Sequence, residues 1–152
     1  MPNTAVEATN TVPGEIAEAD FIHVVAAVIW HPKKLNTLLI SQRQKGKHLQ
    51  DHWELPGGKL DSGESREQAL KRELQEELNI EVIESNPFMQ IKHCYSDRNI
   101  LLDVWLVTAF SGEAEGCEGQ KIIWAGINEL DDYCFPEADM PILQAIKNSA
   151  IA

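Results

Sequence analysis

The sequence predicts an α/β sandwich in a single domain. Several short runs of apolar and β-branched residues are typical of strands, one long segment without Gly or Pro is typical of a helix, and a shorter helix closes the chain. With 152 residues, 43% of them apolar, the chain is long enough to bury one core. We expect one domain over residues 21–152, after a flexible tail over residues 1–20, which lack apolar periodicity.

The predicted strands follow from apolar, β-branched runs between turn residues. The first is residues 21–30, and the second is residues 37–42, beyond a turn that contains Pro32. Further runs predict strands over residues 80–83, 88–95, 100–110 and 122–127. Residues 102–108 lie within a nearly continuous apolar run, which indicates a central strand that is covered on both faces.

The long helix is predicted to begin at residues 61–64, after a Pro-Gly-Gly turn at residues 56–58, and to end near Leu78. Its leucines recur every four residues and form one apolar ridge, which we expect to pack on a sheet. The ridge consists of Leu70, Leu74 and Leu78. A closing helix is predicted over residues 138–150, with an apolar face made of Ile142, Leu143 and Ile146.

The charge balance excludes several classes of partner. Twenty-four Asp and Glu against thirteen Lys and Arg give a net charge of −11, which repels polymeric nucleic acid and anionic lipid. No run approaches the roughly 18 apolar residues of a membrane span, and the first twenty residues lack the pattern of a secretory signal. We therefore expect a cytoplasmic protein with no nucleic-acid or membrane partner, whose three cysteines are reduced and buried.

The long helix carries three glutamates within about a 100° sector of its surface. They are Glu73, Glu76 and Glu77. A solvated helix face would explain them equally well. However, the preceding Gly57-Gly58 turn can bring main-chain carbonyls close to an ion, and crowded carboxylates are neutralised by hard cations such as Mg²⁺. Arg72 is placed to hold one of these carboxylates by a bidentate hydrogen bond.

Residues 58–80 resemble the Nudix box, G-x5-E-x7-R-E-U-x-E-E-x-G-U, in which U is an apolar residue. Only the last glycine differs, and Asn79 replaces it; Asn tolerates the left-handed conformation expected there. The matching positions are Gly58, Glu64, Arg72, Glu73, Leu74, Glu76, Glu77 and Ile80. This resemblance implies the Nudix α/β/α sandwich, with a mixed sheet and the box on a loop, a helix and a loop.

The resemblance extends over residues 23–147 and is closest to the MutT-like nucleoside triphosphate pyrophosphohydrolases. Their W-E-F-P-G-G-K segment is similar to residues 53–59 here. Their further metal-binding glutamate, in an E-G-Q setting before a tryptophan, is similar to Glu118 before Trp124. Without the resemblance, Glu118 is an ordinary loop residue.

The family chemistry implied by the resemblance is hydrolysis of a nucleoside triphosphate to a monophosphate and pyrophosphate, by water attack at the β-phosphorus. It implies Mg²⁺, or Mn²⁺ in its place, held by the Gly57 carbonyl and by Glu73, Glu76, Glu77 and Glu118. The general base stays open among Glu73, Glu77 and Glu118; we favour Glu73, with Arg72 as its orienting partner. Lys59 and Arg43 would add positive charge at the phosphates, although simple solvation also explains both.

Selectivity for the base is expected from outside the box. Residues 95–98 resemble the F-P-D-R segment of MutT, which makes Tyr95 and Arg98 candidates for nucleoside contacts. Residues 135–139 resemble its F-P-P-A-N segment, which makes Phe135 and Asp139 candidates, with Asp139 in place of the base-reading Asn. A carboxylate only accepts hydrogen bonds, and residues 138–141 also resemble the A-D-I-P of CTP pyrophosphohydrolases.

We therefore expect 8-oxo-dGTP as the substrate, with CTP or a modified dCTP as the alternative. Asp139 could instead be only the N-cap of the closing helix. Two other classes of function stay open: a nucleotide-sensing Nudix module without catalysis, and a helical scaffold with an acidic face. The presence of every metal glutamate favours the enzyme. The sequence leaves open whether the protein is a monomer or a homodimer.

Overall fold

Seven strands in two sheets form the frame of the molecule over the part that a computed structural model describes, residues 21–47 and 49–150. One sheet has the order β4-β1-β6-β5, and the other has the order β3-β2-β7. In the first sheet β1 is parallel to β6 and the other pairs are antiparallel, so the sheet is mixed, as predicted. The strands are β1 (Ile22–Ile29), β2 (Thr37–Gln42), β3 (Trp53–Glu54), β4 (Gly57–Lys59), β5 (Glu81–Cys94), β6 (Asn99–Ser111) and β7 (Ile122–Gly126).

Strand β1 is buried on both faces because alternate side chains enter two separate hydrophobic clusters. Val25, Ala27 and Ile29 face the leucine ridge of the long helix α1 (Arg66–Leu78). Ala26 and Val28 lie in the second cluster, together with the apolar face of the closing helix α2 (Met140–Asn148). Strand β6 lies between β1 and β5, as predicted for a central strand. The α/β sandwich and both helical apolar faces are therefore confirmed.

Helix α1 begins at Arg66, later than the predicted start at residues 61–64. Those residues form a loop in which Gly63 has a φ of +81°, and Ser65 then caps the helix. The Ser65 hydroxyl accepts from the main-chain N–H of Gln68 (3.1 Å), and the Gln68 side chain accepts from the N–H of Ser65 (2.8 Å). At the other end Asn79 adopts the left-handed conformation (φ 58°), as predicted.

Four other boundaries differ from the sequence predictions. The two strands predicted over residues 80–95 are one strand, β5, which is interrupted by bulges and tolerates Pro87 because it lies at the edge of its sheet. The turn at residues 53–59 contains the short strands β3 and β4. Residue 127 begins a 3-10 segment, Ile127–Asp132, instead of ending β7. The closing helix follows a 3-10 turn, Glu137–Asp139, and is shorter than predicted.

The prediction of buried thiols is wrong: Cys94, Cys117 and Cys134 are free and exposed. Cys94 ends β5 and the other two lie in connections, where the chain follows the surface. Among the described residues, no helix combines the length and apolar character needed to span a membrane. The tail predicted for residues 1–20 lies outside the described residues.

Leu74 provides a test of the packing between α1 and β1. Its side chain is fully buried in the cluster under α1, so Leu74→Ala should leave a cavity and lower the free energy of unfolding by about 2–5 kcal/mol. Urea denaturation measures this change. Lys71→Ala, an exposed position on the same helix, is the control and should change stability by about 0.5 kcal/mol or less. Equal effects of the two substitutions would contradict the packing.

Candidate active site

The two glycines of β4 allow the main chain to pass between β1 and α1. A Cβ atom at residue 57 would lie 1.9 Å from the carbonyl oxygen of Val25, and one at residue 58 would lie 2.4 Å from the carboxylate carbon of Glu73. Both distances are far below van der Waals contact, so no larger residue fits without a rearrangement. The Glu73 carboxylate therefore rests directly on the main chain of Gly58.

Arg72 is the cation around which the acids of this region are arranged. Its Nε donates to Glu64 Oε2 (2.6 Å), and its Nη1 donates to Glu73 Oε2 (3.0 Å) and Glu76 Oε1 (3.1 Å). Its Nη2 donates to the main-chain oxygen of Lys59 (3.0 Å) and to Glu64 Oε1 (3.0 Å). These bonds raise the pKa of Arg72 and lower that of Glu64. The guanidinium thereby links the loop before α1 to the face of the helix.

The three glutamates of α1 differ in their surroundings. Glu77 is largely buried and shares a side-chain hydrogen bond with Glu73. Burial, followed by that bond and the charges of Glu73 and Glu118, raises the pKa of Glu77 to about 9. Glu76 is 56% exposed, and its recorded partner is Arg72, four residues earlier. Glu73 and Glu77 therefore lie together, whereas Glu76 lies at the solvent-exposed surface of α1.

Glu118 lies across from α1 on a turn between β6 and β7. The main-chain N–H of Gly119 donates to the oxygen of Gly116 (3.1 Å), and Gly119 has a φ of +83°. The charge of Glu118 acts on both Glu77 and Glu54. The neighbouring Cys117 N–H donates to the main-chain oxygen of Glu77 (3.0 Å), which places the turn of Glu118 beside the end of α1.

The donors in this region fit a hard divalent cation, because they are carboxylates beside a glycine turn whose main chain is unobstructed by side chains. Over residues 21–47 and 49–150, no group of three or more Asp, Glu, His or Cys side chains is already arranged as a metal site.

A cleft of about 350 Å³ connects these acids to the other predicted binding residues. Strands β1, β2 and β4 contribute to its walls, and the 3-10 turn before α2 closes one end. Phe135 does not line it and packs instead in the hydrophobic cluster under α2. Glu73, Glu76 and Arg72 are not among the lining residues, and Glu73 lies against Gly58, which lines the cleft. The predicted residues that do line the cleft are Arg43, Gly57, Lys59, Glu77, Tyr95, Arg98, Glu118 and Asp139.

Asp139 lies in the cleft wall with only 8% of its surface exposed. Burial, and to a lesser degree the charge of Glu54, raise the pKa of Asp139 to about 7 against the opposing charge of Arg43. Asp139 occupies the N-cap position of α2, but its side chain makes no capping hydrogen bond. Capping alone therefore does not account for this carboxyl group.

Tyr95 and Arg98 belong to the tight link between β5 and β6. The main-chain N–H of Tyr95 donates to the oxygen of Arg98 (2.8 Å), and the Arg98 guanidinium lies 5.9 Å from the centre of the Tyr95 ring. The Nε of Arg98 is buried without an acceptor among the described residues. The cleft thus has a potential donor in Arg98 and an acceptor in Asp139.

Sequence reasoning missed several residues of the cleft. Glu54 pairs with Arg43 (Nη1 to Oε1, 2.6 Å), and burial raises its pKa despite that partner. A charged residue in the otherwise apolar Trp53–Leu55 run was the available signal. Lys47 also lines the cleft, and so do Gln44 and Gln120, whose roles depend on contacts between segments distant in sequence.

Residues 25–145 match the NUDIX domain family, so the chain belongs to this family and the predicted Nudix hydrolase is confirmed. One similar protein is the 8-oxo-dGTP diphosphatase of Escherichia coli K12, which is 38% identical over 112 residues. The alignment covers 74% of this chain and 87% of the relative. The CTP pyrophosphohydrolase of the same organism is 37% identical over 124 residues, 82% of this chain and 90% of the relative.

The fold agrees with these relationships. A solved structure from a study of MutT from Aliivibrio salmonicida and Vibrio cholerae has a TM-score of 0.73 and 39% identity. The alignment covers 84% of this chain and 97% of that one. The predicted MutT-like fold is therefore confirmed, and Nudix hydrolases as a class use a divalent metal and nucleotide substrates.

Gly58→Ala tests the close contact between β4 and Glu73. The added methyl group should displace the Glu73 carboxylate and lower kcat by about a hundredfold, as expected when a catalytic group moves by about 1 Å. Steady-state kinetics measures kcat, and Mn²⁺ titration measures whether the displaced carboxylate weakens metal binding. Gly126→Ala is the control, because its Cβ would meet its nearest atom at an ordinary 3.5 Å and, like residue 58, it has no positive φ. Unchanged Mn²⁺ affinity and kcat in Gly58→Ala would contradict the assignment.

Proposed function

We propose that the protein hydrolyses 8-oxo-dGTP to the monophosphate and pyrophosphate in a reaction that depends on Mg²⁺. One observation carries the proposal: a single cleft is lined both by Glu77 and Glu118 beside a glycine turn and by the buried Asp139. The first end suits cations and phosphates, and the second suits hydrogen-bond donors of a base. Similarity to the diphosphatase of E. coli supports this substrate.

The metal end is assigned to the Gly57 carbonyl and to the carboxylates of Glu73, Glu77 and Glu118, which would be drawn together around Mg²⁺ or Mn²⁺. Glu76, which is exposed, is assigned an outer position at the rim. When bound, such cations neutralise the triphosphate, orient it for in-line attack and make the attacking water more acidic.

The protein supplies a base for the attacking water and positive charge for the phosphate oxygens. Glu73 accepts a proton from the attacking water, and its bond to Arg72 (3.0 Å) fixes the direction in which its carboxylate points. Water adds at the β-phosphorus, and the bond to the α-phosphate oxygen breaks to release the monophosphate. Lys59 and Arg43 line the cleft and attract the phosphate oxygens.

The base end contains Asp139, Tyr95 and Arg98. Asp139 accepts from ring and exocyclic N–H groups, and Arg98 offers a donor to a base carbonyl. Phe135 acts only by packing behind this wall. A second candidate is CTP or a modified dCTP, which the aspartate at residue 139 and the similarity to the CTP pyrophosphohydrolase favour.

The remaining proposals concern partners and location. The net charge of −11 supports a small-molecule substrate and no polymeric nucleic-acid or membrane partner. We retain a cytoplasmic location and either a monomer or a homodimer as proposals. A non-catalytic sensor is disfavoured because all the glutamates of the box are present.

Chelation and Glu73→Gln test the metal reaction. Activity should disappear in EDTA and return with Mg²⁺ or Mn²⁺, because the crowded carboxylates need a cation to hold a triphosphate. Glu73→Gln keeps the shape of the side chain but removes a proton acceptor, so kcat should fall by about 10²–10⁴-fold. Pyrophosphate release measures both effects, and circular dichroism checks the fold.

Two results would decide against this mechanism. Full activity in EDTA would exclude the metal reaction. Nearly normal kcat in Glu73→Gln would transfer the role of base to Glu77 or Glu118. Lys71→Ala, on the exposed side of α1, is the matched control and should retain kcat.

Asp139 provides the test of base selectivity. Asp139→Ala should cost the preferred substrate one or two charge-assisted hydrogen bonds, or about tenfold or more in kcat/KM for each, while kcat changes little. Asp139→Asn restores a donor and an acceptor and should move the preference toward 8-oxo-dGTP relative to CTP. The measurement is kcat/KM for 8-oxo-dGTP, dGTP, CTP and 5-methyl-dCTP. Equal losses on all four would contradict a role of Asp139 in base selection.

The same ratio should depend on pH in a defined direction. Because the pKa of Asp139 is about 7, the side chain is protonated below that pH and resembles the Asn variant, whereas above it the carboxylate only accepts. The preference for 8-oxo-dGTP over CTP should therefore rise as pH falls through 7 in the natural protein. It should stay flat in Asp139→Asn, in which this group does not titrate.

A further inference from the structure

The main chain of Glu118 is held on both sides by glutamine side chains. Its N–H donates to Gln120 Oε1 (2.9 Å), and its carbonyl oxygen accepts from Gln44 Nε2 (2.5 Å). The turn that carries Glu118 has glycines at positions 116 and 119, so its own backbone supplies little stiffness. The two amides therefore hold both main-chain polar groups of Glu118.

Gln120 also ties the turn to the end of α1. Its Nε2 donates to the main-chain oxygen of Glu77 (3.1 Å), which also accepts from the N–H of Cys117 (3.0 Å). The next carbonyl, that of Leu78, accepts from the N–H of Glu115 (3.0 Å). The last carbonyls of a helix have no partner within the helix, and here the turn supplies those partners.

One side-chain amide thus bridges the main chains of two glutamates. Gln120 accepts from residue 118 through Oε1 and donates to residue 77 through Nε2, so one planar group adds a side-chain link between backbones that the Cys117 N–H also joins. The bond to the Glu77 oxygen is partly buried, whereas the bond from the Glu118 N–H is exposed. The carboxylates of Glu77 and Glu118 both line the same cleft.

We propose that Gln120 is a positioning residue for the metal site, which holds the Glu118 backbone against the end of α1 so that Glu77 and Glu118 can bind the same ion. This inference rests on the metal ligands assigned under the proposed function. Gln44 supports the peptide of Glu118 from the opposite side and makes no recorded bond to α1. Its contribution should therefore be smaller than that of Gln120.

The test uses substitutions that keep side-chain length and remove the amide. Gln120→Met should weaken Mn²⁺ binding by the nucleotide-free protein by about 10–100-fold, the range for residues that orient metal ligands, and Gln44→Met should weaken it less. The apparent Mg²⁺ requirement for activity should rise in parallel, with little change in nucleotide KM at saturating metal. Calorimetric titration and kinetics measure these values.

A metal-free readout accompanies these titrations. In Gln120→Met the amide proton of Glu118 should exchange with solvent faster than in the natural protein, because it loses its acceptor. Gln144→Met is the matched control: the Gln144 amide donates to Asn148 (3.1 Å) on α2, remote in sequence from both bridged segments, and its loss should alter neither quantity. Gln44→Met supplies the test if Gln120→Met does not fold.

Glu118→Gln distinguishes the assigned metal site from the positioning role of Gln120. If it leaves Mn²⁺ affinity unchanged, the assigned metal site is wrong and the role of Gln120 falls with it. If Glu118→Gln weakens Mn²⁺ binding while Gln120→Met and Gln44→Met behave like Gln144→Met, the metal site stands and the positioning role is overturned. Weakening in Glu118→Gln and Gln120→Met, with faster amide exchange in the latter, supports the proposal.

Discussion

The arrangement of this molecule depends on one guanidinium among crowded carboxylates. Arg72 bonds to Glu64, Glu73 and Glu76 and also to the main chain of β4, so it joins the loop, the strand and the helix of the box. Without this cation the acids would repel one another and the loop before α1 would lose its attachment. With it, the Glu73 carboxylate is pressed against Gly58, in a place only glycine leaves open.

The fold places chemistry and recognition on different elements. The acids lie on α1 and on the turn attached to its last carbonyls, whereas Asp139 lies on the 3-10 turn before α2, on the other side of the sheets. Glu77 and Glu118 from the first set and Asp139 from the second line the same cleft. If Asp139 contacts the base as proposed, a substitution there changes which base is bound without disturbing the packing of α1.

Local features of the sequence predicted most of the fold, and distant contacts explain what it did not predict. The leucine ridge and the left-handed Asn79 follow from short-range rules. In contrast, β5 is one continuous strand because it pairs with β6 along its whole length, and this pairing also accommodates its bulges. Phe135 was predicted at the substrate and lies in the core, since a motif does not specify which way a ring turns. The bridge made by Gln120 joins residues 43 positions apart and has no local signal.

The parallel pairing of β1 with β6 also has a consequence for the order of folding. Ile22 pairs with Ile100, so the chain must close a loop of nearly 80 residues before this ladder forms. The entropy of loop closure is lost before the contacts of the ladder can compensate for it. In contrast, α1 with its capping box and the tight β5–β6 hairpin are local and can form first. The pairing of β4 with β1 spans a much shorter stretch of chain than the pairing of β1 with β6. The helix of the box can therefore form early, whereas the sheet that contains β4 is complete only when β1 lies beside β6.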